Sequence, residues 1–182
     1  MLLDLFKEFQ VTNPGLVRMM KDCDHHFSPV DLNDWHMESD VWAHTCLVYK
    51  KLMELDLPES ENVILGIIVL YHDLGKVFVR QSKNPGKISM FGHSFAGIQD
   101  TIEFIRHLGD NTCILDGFPR TDIYYYVLNV ISNHMDFKKV DNEKQKRICD
   151  NDSYLYQLAQ IFEYCDGMGS ICAREKHDKP NL

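Results

Sequence analysis

An all-α helical bundle is the fold this sequence predicts, and three observations predict it. Apolar residues recur at steps of three and four, no stretch alternates over more than a few residues, and the breaks are short segments rich in Pro and Gly. At 182 residues and 21.2 kDa the chain has the size of one domain, able to bury roughly 70% of its unfolded surface. We expect residues 1–182 to form a single domain of about six or seven helices around one core. Within it, 1–32 would be a helical flank and 175–182 a disordered tail too poor in apolar residues to pack.

The elements follow in order. "TNPG" at 12–15 breaks the flank. A helix over Asp40 to Leu55 is entered through Ser39 or Asp40 as N-cap, and another runs from Ser60 to Leu74 and closes at Gly75. An irregular basic loop containing "KNPG" at 83–86 comes next. Ile98, Ile102, Ile105 and Leu108 then recur at steps of four, three and three. After the break "DGFPR" (116–120), Ile123, Val127, Val130, Ile131 and His134 form an i, i+4, i+7, i+8, i+11 stripe, and Leu155, Leu158, Phe162 and Cys165 close the pattern.

Composition narrows the classes. A hydrophobic fraction of 45% with 11% aromatic residues argues against disorder. No apolar run reaches the length needed to cross a bilayer, and "MLLDLFKEF" is interrupted by Asp4, Lys7 and Glu8, so a soluble, cytoplasmic protein with no membrane partner is expected. The six cysteines show no C-x-x-C pair and sit mostly in apolar stretches, reading as reduced core residues. A formal charge of -8 opposes whole-molecule attraction to a polyanion, so a nucleotide or nucleic-acid partner needs a local basic site.

Several polar residues fall on apolar faces. His72 follows Leu65 and Ile68 at i+7 and i+4, His44 precedes Leu47 and Val48 at i+3 and i+4, His134 ends the stripe that begins at Ile123, and Asp166 lies four after Phe162. One inward histidine is ordinarily a hydrogen-bonded core residue. Several together need either several partners or one metal centre that satisfies them all. Imidazole and carboxylate suit Mn, Fe, Co, Ni or Zn, whereas calcium and magnesium sites use oxygen almost exclusively.

Five stretches carry a resemblance: "WHMESDVWAHT" (35–45), "LYHDLGK" (70–76), "FGHSFAGIQ" (91–99), "ISNHMDF" (131–137) and "CDGMG" (165–169). In order and spacing the chain resembles the HD superfamily of metal-dependent phosphohydrolases over about residues 33–174. The nearest resemblance is to the HD domain of bacterial CCA-adding tRNA nucleotidyltransferases and to that fused to polynucleotide kinase in RNA-repair enzymes. The resemblance implies a helical bundle in which His44, His72, Asp73 and Asp166 hold a divalent metal. It further implies that His93 and His134 complete a second site bridged by Asp73, so that two ions are expected. Asp73 and Lys76 would be the catalytic residues. Lys76 matches the lysine of H-D-x-x-K and would meet the substrate phosphate or protonate the leaving group. The supporting acceptor for a ligand histidine is left open among Glu38, Asp40, Asp100 and Asp136.

The implied substrate is a phosphate ester of a nucleotide or RNA end, cleaved as a 2′,3′-cyclic phosphodiester or a 2′- or 3′-phosphate. Two alternatives stand beside this: a 5′-nucleotidase or deoxynucleoside triphosphate hydrolase, and a non-catalytic nucleotide sensor or interaction module. Residues 74–93 hold Lys76, Arg80, Lys83 and Lys87 with no acid, a natural approach for phosphate. Lys76, Arg80, Lys83, His36, Trp35 and Arg174 are therefore the expected substrate contacts. Trp35, His36 and Trp42 either pack the helix start or serve the substrate, by stacking a base or lining the pocket. Ser170 stands where the RNA-processing relatives carry an arginine, and Arg174 lies a turn further on. The mixed-sign stretch "FKKVDNEKQKR" (137–147) reads as solvated surface, and Ser94 as a helix N-cap. The oligomeric state is not legible.

Overall fold

The computed structural model of the chain describes residues 1–25, 38–84 and 87–170, apart from the side chains of 82–87. The expected contacts Trp35, His36 and Arg174, the side chain of Lys83 and the expected tail 175–182 lie outside the described residues.

The described chain is an all-α bundle. It comprises α1 (Leu2–Thr12), α2 (Pro14–Lys21), α3 (Val41–Met53), α4 (Glu59–Tyr71), α5 (Lys76–Val79), α6 (His93–Ala96), α7 (Ile98–Asn111), α8 (Arg120–Phe137), α9 (Asn142–Ile148) and α10 (Ser153–Gly169). Single-turn α5 and α6 account for part of the excess over the six or seven helices expected. The break at "TNPG", where Asn13 caps α1 and Pro14 starts α2, accounts for another part.

Helix α4 is the centre of the bundle and packs against α1, α3, α8 and α10. Val63 through Tyr71 are all buried, each large side chain contributing on the order of 1.5–3 kcal/mol by leaving water. The stretch Glu59–Val79 is, contrary to the sequence expectation, long and apolar enough to cross a membrane, but 78% of its apolar window is buried inside the fold. It behaves as a core element.

Asp40 caps α3 as anticipated, its carboxylate accepting from the Ala43 amide at 2.7 Å. Three local expectations change. Gly75 has φ -59° and is no left-handed cap, so α4 ends at Tyr71 and passes through turns into α5. Gly92, at φ 84°, caps α6, and Ser94 lies buried inside that helix. The basic loop contains a two-stranded antiparallel hairpin, β1 (Gln81–Asn84) with β2 (Lys87–Ser89), whose four and three residues are too few to show alternation. On α7 the buried face centres on Phe104 and Ile105, with Ile102 at its margin. Trp42 is 8% exposed and stacks on Phe6 and Phe9 at centroid distances of 5.5 and 6.0 Å, which makes it core packing. Among the described cysteines, Cys23, Cys46, Cys113, Cys149 and Cys165 are free thiols, Cys113 being exposed.

Candidate metal centre

Five elements send a polar side chain to one buried point. His44 comes from the first half of α3, His72 and Asp73 from the end of α4, His93 from the first position of α6, and His134 and Asp166 from the last turns of α8 and α10. All six are buried. They form two groups, His44/His72/Asp166 and Asp73/His93/His134. In the first, His44 Nε2 lies 2.9 Å from Asp166 Oδ1 and 3.4 Å from His72 Nε2. In the second, His93 Nε2 lies 3.1 Å from His134 Nε2 and 3.4 Å from Asp73 Oδ1. Asp73 belongs to both, because its other oxygen, Oδ2, is 3.4 Å from His72 Nε2 and 3.7 Å from His44 Nε2.

The donor set fits metal ions. Nδ1 of His72, His93 and His134 contacts the carbonyls of Val69, Met90 and Ile131 at 2.9, 2.8 and 2.6 Å. A carbonyl only accepts, so each Nδ1 donates there and each Nε2 is the ring atom left facing the centre. Two ligands about 2.1 Å from one ion and roughly 90–110° apart would themselves be about 3.0–3.4 Å apart, the spacing of both histidine pairs. Each group can therefore hold a metal ion.

Charge is balanced around the groups. Burial pushes the His44 imidazole down, but hydrogen bonds to Asp166 and Glu38 outweigh it and hold the group at about 9. Glu38 Oε1 sits 3.0 Å from His44 Nδ1, which identifies it among the four candidate carboxylates as the support for His44. Asp40 is occupied as a cap, Asp100 lines a separate cleft with His107, and Asp136 pairs with Lys139 at 3.6 Å. Burial and the neighbouring His72 drive His134 down to about 3, keeping it neutral. Burial would raise Asp73 and Asp166, yet Lys76 and His72 hold the first, and His44, His72 and Lys138 the second, well below the usual carboxylate range. Lys76 Nζ donates to Asp73 Oδ2 at 2.6 Å, and Lys138 Nζ forms an ion pair with Asp166 Oδ2.

Two glycines set the approach of these elements. A Cβ on Gly75 would stand 1.9 Å from the His93 carbonyl oxygen, so only glycine lets the turn after Asp73 touch α6 and bring His93 to that carboxylate. A Cβ on Gly169 would meet the Val48 backbone at 2.7 Å, so glycine also lets α10 lie against α3, one turn from the Asp166–His44 contact.

A cavity of about 560 Å³ opens onto the second group and is lined by Asp73, Lys76, His93, Lys138, Met90, Phe91, Phe95 and Met135, among others. Of the expected substrate contacts, Lys76 lines it. Arg80 does not; its Nε donates to the Asp24 carbonyl at 3.1 Å and joins the end of α5 to the segment preceding α3. Sequence reasoning missed Lys138, read there as solvated surface although it follows His134 by one turn. It also missed His25, whose buried ring lies 6.0 Å from that of His44. The helical step from His134 could have signalled Lys138, while nothing local marks His25. In comparison with known proteins the chain matches no family model, no curated protein and no solved structure.

Proposed function

We propose that the protein is a metal-dependent phosphohydrolase of the HD type, cleaving a phosphate ester of a nucleotide or RNA end as a 2′,3′-cyclic phosphodiesterase or a 2′- or 3′-phosphatase. The observation that carries this reading is Asp73. Its two oxygens divide between the two histidine groups, and the same carboxylate holds the ammonium of Lys76 at the floor of a pocket.

His44, His72 and Asp166 would hold one divalent transition metal and His93 and His134 a second, with Asp73 serving both. Such ions, drawn from Mn, Fe, Co, Ni or Zn, would when bound supply an activated water at neutral pH and neutralise phosphate charge. The protein's own groups do the rest. The Val69, Met90 and Ile131 carbonyls fix the histidine tautomers, and Glu38 orients His44. Lys76, held against Asp73, can turn its Nζ to an ester oxygen and deliver a proton to the leaving group. Lys138 compensates Asp166 from the pocket side. A volume of about 560 Å³ suits a single nucleotide, so a 5′-nucleotidase or deoxynucleoside triphosphate hydrolase stands as the second reading.

The test is phosphate release by metal-free protein reconstituted separately with Mn, Co, Ni, Zn and Mg, offered 2′-, 3′- and 5′-nucleoside monophosphates, 2′,3′-cyclic nucleotides and deoxynucleoside triphosphates. Turnover of 2′, 3′ or cyclic substrates that disappears in Asp73→Ala is the expected result. Turnover confined to 5′-nucleotides or triphosphates moves the protein to the second reading. No turnover with any metal refutes both.

A further inference from the structure

The pocket over the metal centre has two chemically different ends. Its floor is buried and charged, carrying Asp73 and Lys76. Its mouth carries Phe91, 90% exposed, and Phe95, 67% exposed, with the thioether side chains of Met90 and Met135 also on the lining. Scattered exposed apolar residues need no explanation. Two phenylalanines four residues apart, both lining the cavity that ends at a candidate metal centre, do need one. Neither ring is used by the core. The backbone between them is held: Gly92, at φ 84°, turns the chain, and His93, held by its Nδ1 contact to the Met90 carbonyl and by Asp73, anchors the short helix that carries Phe95.

We propose that Phe91 and Phe95 form a stacking platform for the nucleobase of a mononucleotide whose phosphate lies on the Lys76 side of the pocket. This rests on the phosphohydrolase reading and narrows it to substrates carrying a base. The chemistry matches at both ends. A flat base offers a π-face to an aromatic side chain whatever its identity, so the site takes purine and pyrimidine alike, and the anionic end meets the ammonium groups of Lys76 and Lys138. A mononucleotide is favoured over a polymer by the cavity of about 560 Å³ and by a net charge of -8, which opposes a long polyanion. The platform replaces the stacking role that Trp42 cannot fill from the core.

The experiment is saturation-transfer NMR on the full chain loaded with Co or Zn, with adenosine 5′-monophosphate, adenosine 3′-monophosphate and ribose 5-phosphate as probes. We expect the adenine H2 and H8 protons to receive more saturation than the ribose protons. That excess should vanish in Phe91→Leu/Phe95→Leu, which keeps apolar bulk without a π-face, and persist in Phe91→Tyr/Phe95→Tyr. In turnover, the preference for nucleotide over ribose phosphate, as a ratio of kcat/KM values, should fall about 5- to 150-fold in the Leu variant, the loss expected for one stacked base. Unchanged base saturation in the Leu variant overturns the platform. So does a preference that Leu and Tyr variants alter equally, or a dimer in sedimentation that the Leu variant disperses. Tighter binding of a 3′-phosphorylated trinucleotide than of the mononucleotide overturns the restriction to mononucleotides. If no phosphate is released with any metal, the hydrolase reading fails while base saturation still decides the platform.

Discussion

His93 Nε2 and His134 Nε2 face each other at 3.1 Å while both rings spend their Nδ1 protons on main-chain carbonyls. With Nδ1 engaged, the two Nε2 atoms are the ring positions left to take a cation between them. Metal should therefore stabilise the fold. At a free Co or Zn concentration about 100 times the dissociation constant we expect roughly 2.7 kcal/mol of stabilisation and a Tm higher by about 5–10 °C. Calorimetry against chelator-treated protein checks this, and an unmoved Tm would contradict the assignment of these residues as ligands.

Glu38→Gln should weaken metal binding about 10- to 100-fold with little change in the fold. Glu38 Oε1 contacts His44 Nδ1 at 3.0 Å, and the amide keeps the shape but loses the charge that makes His44 a stronger ligand. Competition with a chromophoric chelator measures the affinity. Equal affinity in the variant would mean that Glu38 only fills space.

Gly75→Ala should damage the second group more than the first. The added methyl collides with the His93 carbonyl, moving α6 away from Asp73, whereas His44, His72 and Asp166 hang on α3, α4 and α10. The expected outcome is a metal content falling from about two ions to about one, read by elemental analysis after dialysis.

Lys76→Met should lower kcat about 10²- to 10³-fold and leave metal stoichiometry intact. The ammonium pairs with Asp73 from the pocket side, and methionine keeps the aliphatic length without the charge or the proton. Loss of metal together with activity would show that Lys76 merely holds Asp73 in place.

The metal-free protein should be most stable near pH 6.5. His44 is raised to about 9, so its contribution is complete below the unfolded value of 6.5 and is lost as pH climbs from 6.5 to 9. His134 is lowered to about 3, so its contribution is complete above 6.5 and is lost as pH falls from 6.5 toward 3. Between about pH 4 and 9, where one histidine titrates on each side, each limb should fall by about 1.4 kcal/mol per pH unit at most. Urea midpoints across pH measure it, and His44→Gln should flatten the alkaline limb alone.

The sequence by itself determined the helical bundle and much of the candidate site. A 3.6-residue period is a local property, so the buried stripes of α8 and α10 could be read directly, together with the inward positions of His44, His72, His134 and Asp166. His93 was different, since a four-residue helix has no period to read, and it was legible only through the resemblance of its motif.

The tertiary structure decided what periodicity cannot express, namely which residue on one face meets which residue on another. The His44–Asp166 contact spans 122 positions and the His93–His134 contact 41. Four nearby carboxylates were equal candidates to support His44 until α3 and the residues before it placed Glu38 at its ring. Gly75 looked like a helix cap because its role, touching the His93 carbonyl, depends on a segment eighteen residues away. Lys138 looked like solvated surface for the same reason. A periodic pattern tells a side chain to face inward, and packing alone chooses its partner.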